Sequence, residues 1–510
     1  MISLAYPCAD VSEVPEAHYS RLCPGRWQVF DDAVLHDLAN NVMQDSRAKR
    51  AERLKHPLPT VGMPSLYVYF GQFIDHDITK DGRTLDQAGP DVQQTLNYRT
   101  PRLDLDHLYG KDPSTVPCIY EADGETLRLG PTLPASSKGR KLRSTQDDLF
   151  RENGTAVVMD ARQDENLVIA QMHVLLAKFH NKVLELLRAQ PKLSLGPKGS
   201  SLFEQARRFV TWHYQWIIVN DFLPRIVRGS ILNKVTRCRY KLFPRVYTPA
   251  DGPMPLPVEF TMAAFRFGHS MIREQYFLNR NVNTQRSSEL IHMTKRGGGI
   301  DKQLPANYRI DWDYFYFKHP LNVGNDIDTF ITEMMYGLPD QTGKAFQFQS
   351  SFTAVSASQN VAPMNPTLPE LTLKRGSKTR LPSGQEFARA FGYDLIDPAL
   401  IPALPEGKEF FEQTGLSMRT PLWYYLLREA DLDARSNPGE GEGPKKPIQK
   451  LGRIGSQIVA EVFYQLLNTD CESILHAGEG VKPPSFVFGN QLKPRPILSL
   501  PDLIDFVRSS

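Results

Sequence analysis

The residues best suited to chemistry stand in the stretch 71–77, where one amide, two carboxylates and one imidazole interrupt an otherwise apolar run. Helical spacing puts Gln72, Asp75 and His76 at positions i, i+3 and i+4, so these three side chains share one face. Asp77 points about 100° away, because successive helix residues rotate by that angle. Buried polar groups require partners. The stretch therefore predicts a functional site, or half of one, on a buried helix.

Three other segments carry a high density of reactive side chains. Residues 160–166 open a long helical pattern with an arginine and a glutamate at i and i+3, and acidic residues suit a helix N-terminus. Residues 100–106 alternate oxygen-bearing side chains with spacers, as a calcium loop or a polar turn does. Residues 263–272 embed His269 in an apolar, aromatic helical pattern. Each segment alone also has an ordinary structural interpretation. The arginine and glutamate fit a surface ion pair, residues 100–106 fit a polar turn, and His269 fits a histidine of the core.

Composition narrows the classes of function. The chain has 510 residues, with 60 Lys and Arg against 57 Asp and Glu. Its net charge of +3 is too small to indicate a nucleic-acid-binding protein. The basic cluster at 47–55 fits a solvated helix face better than a nucleic-acid arm. No C-x-x-C pair is present, which excludes a zinc knuckle. Cys8 and Cys23 either close an N-terminal loop or remain free thiols.

The elements that must position these residues are mostly helices. Amphipathic patterns cover residues 166–187, 203–227, 259–272, 326–336, 421–430 and 456–467, with Pro224 as the predicted end of the second. Alternating strand patterns are scarce, so one large, mostly α-helical domain with very little β-structure is expected. Residues 1–7 lack the features of a classical signal peptide, and no apolar run reaches eighteen residues.

Taken in order, the segments resemble the animal-type haem peroxidase superfamily, also called the peroxidase–cyclooxygenase superfamily, and within it the bacterial and peroxinectin-like branches. The segments that carry the resemblance are 71–77, 104–110, 160–181 and 263–272, with further support at 381–385, 420–425 and 451–455. The resemblance implies a helical haem peroxidase domain over residues 61–505. Residues 1–60 are then an N-terminal extension packed on that domain.

The family's catalytic positions are filled in this sequence. The resemblance implies that His76 is the distal base, that Gln72 lines the pocket beside it, and that Arg162 is the distal arginine. His269 is implied as the proximal ligand of the haem iron. A neutral imidazole near the iron can move the proton of peroxide, and a guanidinium stabilises charge on the departing oxygen.

The cofactor implied by the resemblance is haem b. Asp75 and Glu165 match the two carboxylates that form ester bonds to haem methyl groups in the family. At position 166 an asparagine replaces the methionine of the third haem link in myeloperoxidase, so no sulfonium bond is expected. The family asparagine that accepts a hydrogen bond from the proximal histidine corresponds to Thr372, whose hydroxyl is a shorter acceptor. The other residues expected to bind the cofactor are Arg266 and Arg375.

A calcium site is implied beside the distal helix. Its ligands correspond to Asp77, Thr100, Arg102 through its backbone carbonyl, Asp104 and Asp106. Calcium takes six to eight oxygen ligands, and this set supplies oxygen only. Because Asp77 directly follows the distal histidine in sequence, the ion would brace the helix that carries the base.

The function implied is oxidation of halides, thiocyanate or small aromatic donors by hydrogen peroxide, through a ferryl porphyrin-radical intermediate. Fatty-acid dioxygenases of the same superfamily need a tyrosine three residues before the proximal histidine; here that residue is Arg266, and the nearest tyrosine is Tyr276. A non-catalytic adhesion protein on a peroxidase scaffold is the other alternative, disfavoured because every catalytic position is filled. Export is favoured by the resemblance but not by residues 1–7, and the oligomeric state stays open.

Overall fold

The computed structural model describes residues 17–25, 27, 29–83, 85–92, 94–189, 199–294, 303–336, 366–437, 446–476 and 496–509, without the side chains at 288, 292, 317, 318, 321 and 334. Residues 1–16 of the expected extension lie outside this set. The described chain is mostly α-helical, which confirms the predicted fold class, and its strands are two to four residues long. Among the described helices, none is long and apolar enough to cross a membrane.

Seventeen α-helices are present in the described residues. They are α1 Asp32–Asp37, α2 Arg47–Arg53, α3 Ser65–Ile78, α4 Asp106–Tyr109, α5 Leu167–Ala189, α6 Leu202–Ile217, α7 Leu223–Ile226, α8 Gly229–Val235, α9 Val258–Thr261, α10 Gly268–Met271, α11 Ser287–His292, α12 Leu368–Lys378, α13 Gly384–Ala390, α14 Lys408–Thr414, α15 Leu422–Ser436, α16 Arg453–Thr469 and α17 Leu500–Arg508. Three single turns of other helix types matter below: 3-10 turns at Ala161–Asp164 and Ala264–Phe267, and a π-helical turn at Ile218–Phe222.

The strands form small sheets at the margin of the helices. They are β1 Ala17–Ser20, β2 Leu96–Asn97, β3 Leu129–Gly130, β4 Ala135–Ser137, β5 Arg140–Leu142, β6 Asp148–Leu149, β7 Arg151–Glu152, β8 Thr155–Ala156, β9 Leu256–Pro257, β10 Gln275–Tyr276 and β11 Gln285–Arg286. β1 lies between β2 and β9, antiparallel to β2 and parallel to β9. Tyr19 pairs with Leu256, so the N-terminal segment joins the domain by backbone pairing.

Helix α3 is the central element for the site. Pro64 precedes it in an extended conformation, and its interior lacks the proline that would break a helix. Phe73 and Ile74 are fully buried, and the helix packs against α5 and α10. At its C-terminus the amide of Asn97 donates to the carbonyl of Ile78 over 2.8 Å, so one of the unpaired terminal carbonyls is satisfied by a side chain.

The helical predictions are confirmed where one apolar stripe faces the core. Helices α5, α15 and α16 match the patterns at 166–187, 421–430 and 456–467. The end predicted at Pro224 is wrong, because the helical run continues to Ile226. Pro224 lies in the first turn of α7, directly after a wide π-helical turn. The N–H that proline lacks is therefore not required for a helical hydrogen bond at this position.

Two predicted helices are not formed as single helices. The pattern at 259–272 is divided into α9, the 3-10 turn Ala264–Phe267 and α10. In the pattern at 326–336, only the 3-10 turn Glu333–Tyr336 is helical. There the backbone amide of Ile327 donates to Gln449 Oε1 over 2.7 Å, a long-range bond that replaces a helical one.

The basic cluster at 47–55 lies on α2, but it is more than a solvated face. Arg53 binds Asp328 at 2.7 Å, and Arg50 binds Glu274 at 2.6 Å. Both arginines also bind Asp45, so the cluster ties the N-terminal segment to the domain.

Of the two alternatives for Cys23, the structure has the free thiol. Cys23 is buried, and burial raises its pKa to about 12, while Cys8 lies outside the described residues. Cys238 and Cys471 are exposed free thiols. Cys118 is disulfide-bonded.

Candidate active site and metal site

Four polar side chains converge on one face of α3. Gln72 and Asp75 are partly exposed on this face, while His76 is 4% exposed. His76 Nε2 lies 3.4 Å from Glu165 Oε1, and the amide of Gln72 donates to the same oxygen. Gln72, His76 and Glu165, all predicted as site residues from the sequence, are therefore in contact, although Glu165 lies outside α3.

The other nitrogen of His76 faces a residue that the sequence did not single out. His76 Nδ1 lies 3.4 Å from Gln163 Nε2, and Gln163 is fully buried. The amide oxygen of Gln163 has no hydrogen-bond partner among the described residues. Because an amide can present either its N–H or its oxygen to the ring, Gln163 can select the tautomer of His76.

Arg162 is held by its neighbours at the C-terminus of α3. Its Nη2 donates to the carbonyl of His76 over 3.1 Å and to the carbonyl of Thr79 over 2.7 Å. Its Nε and Nη2 also bind the carboxylate of Asp160, with Nη2 and Oδ2 at 2.8 Å. Asp160 in turn caps the 3-10 turn that carries Arg162, because it accepts from the Arg162 backbone amide.

The charge of Arg162 is secured by its surroundings. Burial acts to lower the pKa of its guanidinium, but the charge and hydrogen bonds of Asp160 more than offset this effect, with smaller contributions from Asp75 and Glu165, so the pKa is raised overall. The side chain is only 18% exposed. Within the described residues, the bonds of the Arg162 side chain to protein use Nε and Nη2, so Nη1 is the nitrogen that could bind a ligand in the pocket.

His269 lies on the short helix α10. Burial, together with the positive charge of Arg266, lowers the pKa of His269 to about 3, so its imidazole is neutral as an iron ligand must be. Its Nδ1 is buried and has no hydrogen-bond partner within the described part of the chain. The ring contacts Trp423 edge to face, with centroids 5.9 Å apart, and the Trp423 indole donates to the Arg266 carbonyl over 3.2 Å.

The hydroxyl of Thr372 has a different partner from the one expected. It donates to the carbonyl of Leu368 over 2.9 Å, one turn earlier in α12. The structure therefore does not form the bond between Thr372 and Nδ1 of His269 that the family pattern implies. A hydroxyl that bonds its own helix at i−4 is a common local arrangement for threonine.

Two arginines come together near the proximal side. Burial lowers the pKa of Arg375, and the charge of Arg266 adds to that effect, so the two cations stand close enough to repel each other. Arg266 Nε donates to the Thr261 carbonyl over 2.9 Å, and Arg375 Nη2 donates to the Arg83 carbonyl over 3.2 Å. Arg375 Nη1 also lies 3.7 Å from Asp81 Oδ2, so that carboxylate balances part of its charge.

The expected calcium site contains a cluster of potential metal ligands. Asp77, Asp106 and His107 each offer an atom within 4.8 Å of the others. His107 Nδ1 is hydrogen-bonded to Asp77 Oδ1 over 2.9 Å, which orients the carboxylate. The second oxygen of Asp77 and Oδ1 of Asp106 are buried and unpartnered among the described atoms. Buried, unpartnered carboxylate oxygens fit a hard cation such as calcium.

The loop 100–106 brings the other expected ligands to this cluster. The hydroxyl of Thr100 donates to Asp104 Oδ1 over 2.7 Å, and the Thr100 amide donates to Asp106 Oδ2 over 3.1 Å. Arg102 lies in the same loop. The buried Leu105 has a φ of 59°, in the left-handed region, which a leucine adopts only when the surrounding structure requires it.

Several residues near the site were not found from the sequence. His107 and Gln163 lie beside two predicted residues, but their types alone carried no signal. Tyr19 is buried on β1, and the charges of Asp75, Arg162 and Arg266 all act on its hydroxyl, so the N-terminal strand reaches the site. Tyr19 reaches this position only through the pairing of β1 with strands distant in sequence, so no local sequence pattern predicts it.

Comparison with known proteins decides the family. A family model described as "Animal haem peroxidase" matches residues 82–351, more than half of the chain. The chain belongs to the animal haem peroxidase family. The matched range contains Arg162 and His269, and it begins after His76.

Curated relatives of this haem peroxidase family member are peroxidases of animals. The chain is 29% identical to a "Peroxidase-like protein" of Margaritifera margaritifera over 36% of the chain and 23% of the relative. It is 29% identical to "Peroxidase mlt-7" of Caenorhabditis elegans over 47% of the chain and 32% of the relative. It is 25% identical to "Chorion peroxidase" of Aedes aegypti over 65% of the chain and 48% of the relative. The chain thus spans less than half the length of these relatives.

Solved structures share the fold of this family member. "Peroxidase A" from Dictyostelium discoideum has a TM-score of 0.56 at 15% identity, covering 91% of this chain and 90% of that one. A fatty acid alpha-dioxygenase of Arabidopsis thaliana has a TM-score of 0.58 at 13% identity, covering 97% of this chain and 78% of that one. At these identities the likeness shows the fold alone and does not choose between peroxidase and dioxygenase.

Proposed function

We propose that this chain is a haem peroxidase that uses hydrogen peroxide to oxidise halides, thiocyanate or small aromatic donors. The observation that carries the proposal is the pairing of two histidine environments on neighbouring helices. Helix α3 carries His76 among Gln72, Glu165 and Arg162, and it packs directly on α10, which carries the neutral His269. A distal base and a proximal ligand on adjacent helices are what a haem peroxidase requires.

The residues present fit haem b. His269 would hold the haem iron through its neutral imidazole, and the neighbouring Arg266 and Arg375 would bind the propionates. When bound, the haem supplies the redox chemistry with peroxide and the donor. Asp75 and Glu165 would hold the haem through ester bonds to its methyl groups, each bond replacing a methyl C–H bond with hydrogen peroxide as the two-electron oxidant. Glu165 would then give up its contacts with Gln72 and His76.

The protein's own part is to move one proton and to stabilise one charge. His76 Nε2 would take the proton from the near oxygen of peroxide and return it to the far oxygen, a role in which positioned acid–base groups contribute about 10²–10⁴-fold. Arg162 would stabilise the charge on the departing oxygen through Nη1. Asp160 keeps the guanidinium charged and in place.

Calcium would be held by the ligands predicted from the sequence, which are Asp77, Thr100, Arg102, Asp104 and Asp106. One of them, Asp77, is adjacent in sequence to His76. The proposal includes export of the protein, which is supported by the disulfide at Cys118 and by the calcium ligands, since both suit an oxidising, calcium-rich compartment.

The test is peroxide-dependent turnover by the purified, haem-loaded protein, with bromide and with a phenol as separate donors. His76→Ala should retain the Soret band and lose at least about 10²-fold of the rate. The matched control is His213→Gln, a buried histidine bonded to the Phe209 carbonyl over 2.8 Å on α6, which should keep the rate. Oxygen uptake with a fatty acid and none of the peroxide activity would contradict the proposal.

The ester bonds have their own readout. After treatment with peroxide, haem should resist extraction by acidified acetone from the unmutated protein. In Asp75→Val or Glu165→Gln it should be more extractable, because one bond is missing. Full extraction from the unmutated protein would remove the ester bonds from the proposal and leave the peroxidase activity untouched.

A further inference from the structure

Arg99 stands between the metal site and the distal arginine. It is 5% exposed and lies at the start of the loop 100–106. Its Nη1 donates to Asp106 Oδ2 over 3.3 Å, and its Nε donates to Asp160 Oδ2 over 3.1 Å. Its Nη2 also donates to the Met159 carbonyl over 3.3 Å. One guanidinium therefore binds a metal-site carboxylate and the carboxylate that holds Arg162.

Asp160 is the shared partner at the other end. It is 1% exposed, and it binds Arg99 and Arg162, with Lys80 at 3.8 Å. The three contacts of the Arg162 guanidinium with Asp160, at 2.8, 3.1 and 3.2 Å, are all closer than that of Lys80. The result is a continuous line of charged groups from Asp106 through the buried Arg99 and Asp160 to Arg162, which ends at the carbonyl of His76.

We propose that Arg99 and Asp160 are positioning residues that couple occupancy of the metal site to the availability of Arg162 in the haem pocket. The proposal rests on the proposed function, because it needs both calcium and haem to bind. Neither residue touches peroxide or haem in this account. Their effect passes through the orientation of the distal guanidinium.

Whether calcium strengthens or weakens ligand binding depends on whether Arg99 binds Asp106 or Asp160 more closely. Without a cation, Asp106 and Asp160 share Arg99, and Asp160 keeps a strong hold on Arg162. A divalent cation bound to Asp106 repels the guanidinium of Arg99 and neutralises its partner there. Arg99 then favours Asp160, which weakens the hold of Asp160 on Arg162. Calcium should thereby strengthen ligand binding on the distal side of the haem.

The probe for distal ligand binding is cyanide, titrated into the ferric, haem-loaded protein with saturating calcium and, separately, with calcium chelated. In the unmutated protein calcium should tighten cyanide binding at least about fivefold, the lower end of typical allosteric couplings. By thermodynamic reciprocity, cyanide should tighten calcium binding by the same factor. Calorimetry of calcium binding with and without cyanide gives this second measurement.

The decisive variant is Arg99→Met. Calcium and cyanide should both still bind, and the coupling factor should fall to about one, with cyanide affinity near that of the calcium-free unmutated protein. Arg99→Lys, whose single ammonium cannot bridge two carboxylates as a guanidinium fork does, should lose most of the coupling and decides the matter if Arg99→Met does not fold. The control is Arg53→Met, which breaks a buried ion pair with Asp328 elsewhere and should keep the full coupling.

The outcomes separate the inference from the function beneath it. A missing Soret band or missing calcium binding in the unmutated protein would contradict the proposed function. With both bound, the absence of coupling in the unmutated protein would overturn the inference. Unchanged coupling in the folded Arg99 variants would overturn it as well. An equal loss of coupling in Arg53→Met would overturn it too, because it would show that the Arg99 variants act by a general disturbance of the structure.

Discussion

Arg162 caps the helix that carries His76: its Nη2 donates to the His76 carbonyl over 3.1 Å. The same nitrogen donates to the Thr79 carbonyl over 2.7 Å, where the terminal carbonyls of α3 would otherwise lack partners. A cation at a helix C-terminus also interacts favourably with the helix dipole. One side chain therefore stabilises the helix of the proposed base and, in the proposed function, stabilises charge on the substrate.

Substitution of Arg162 should separate these two roles. Arg162→Lys keeps a positive charge but cannot bind Asp160 and two carbonyls with a planar fork. We expect the free energy of unfolding to fall by about 1–3 kcal/mol. The rate of reaction with peroxide should fall by about 10²–10³-fold. Thermal unfolding and stopped-flow absorption measure the two effects. A loss of stability with an unchanged peroxide rate would leave Arg162 as a helix cap alone.

Gln163 should control the protonation state of the proposed base. Gln163→Leu keeps the volume and removes the amide at Nδ1 of His76, so the peroxide reaction should slow by about tenfold, the lower end for outer-shell partners. Gln163→Glu can only accept from Nδ1–H and stabilises the imidazolium, so the acidic limb of the pH–rate profile should move to higher pH. Profiles of both variants that superimpose on that of the unmutated protein would exclude this role.

Calcium should stabilise the protein more at neutral than at acidic pH. Burial raises the pKa of Asp106 from 3.8 to about 7 in the metal-free protein; Arg99 opposes the rise, and Asp104 adds to it. Burial, with Asp104 and Asp106 adding to it, also raises the pKa of Asp77 well above its usual range. A folded-state pKa above the unfolded value contributes stability that is full below about pH 4 and is lost as the pH rises through about 7.

Calcium must displace those protons, so its affinity should rise by about tenfold per pH unit for each proton released, and the contribution from Asp106 should level off above about pH 7. The measurement is the calcium-induced shift in unfolding temperature at pH 5.5 and pH 8.0, with magnesium as the control ion. The shift should be clearly larger at pH 8.0. In Asp106→Asn the difference between the two pH values should shrink. Equal shifts at both pH values in the unmutated protein would show that these carboxylates do not bind the ion.

Substitution of Thr372 should reveal whether Nδ1 of His269 has a partner. Because the Thr372 hydroxyl bonds Leu368, Thr372→Val should leave the reduction potential of the bound haem unchanged. Thr372→Asn supplies a longer acceptor, which should bind Nδ1 of His269, strengthen the imidazole as a ligand and lower the potential. Spectroelectrochemical titration gives both values. A shift in Thr372→Val as large as that in Thr372→Asn would mean that the hydroxyl already binds His269.

Local pattern predicted the elements that present one apolar face to the core. Helix α3 was predictable because its apolar run is short, bounded by Pro64, and interrupted at helical spacing. Helix α5 was predictable from the apolar stripe that the pattern at 166–187 carries along one helix face. The proximal segment was not, because residues 259–272 carry a helical pattern that tertiary contacts override. The Glu259 carboxylate accepts from the backbone amides of Leu22 and Cys23, each over 3.0 Å.

The residues around the site were harder to foresee than the residues in it. Asp160 and Arg99 are separated by 61 positions, and neither type of residue is unusual at its place. Tyr19 reaches the site only through the pairing of β1 with β2 and β9. Spacing identifies side chains that share one helix face, but it carries no information on which distant charges will be buried beside them.

Peroxidase function is best tested by the absorption spectrum of the purified, haem-loaded protein before and after stoichiometric hydrogen peroxide, followed by bromide or iodide. A haem peroxidase should show a Soret band that loses intensity with peroxide and recovers when the halide is added. A Soret band that is inert to peroxide would contradict peroxidase function. The absence of any Soret band would contradict haem binding between His76 and His269.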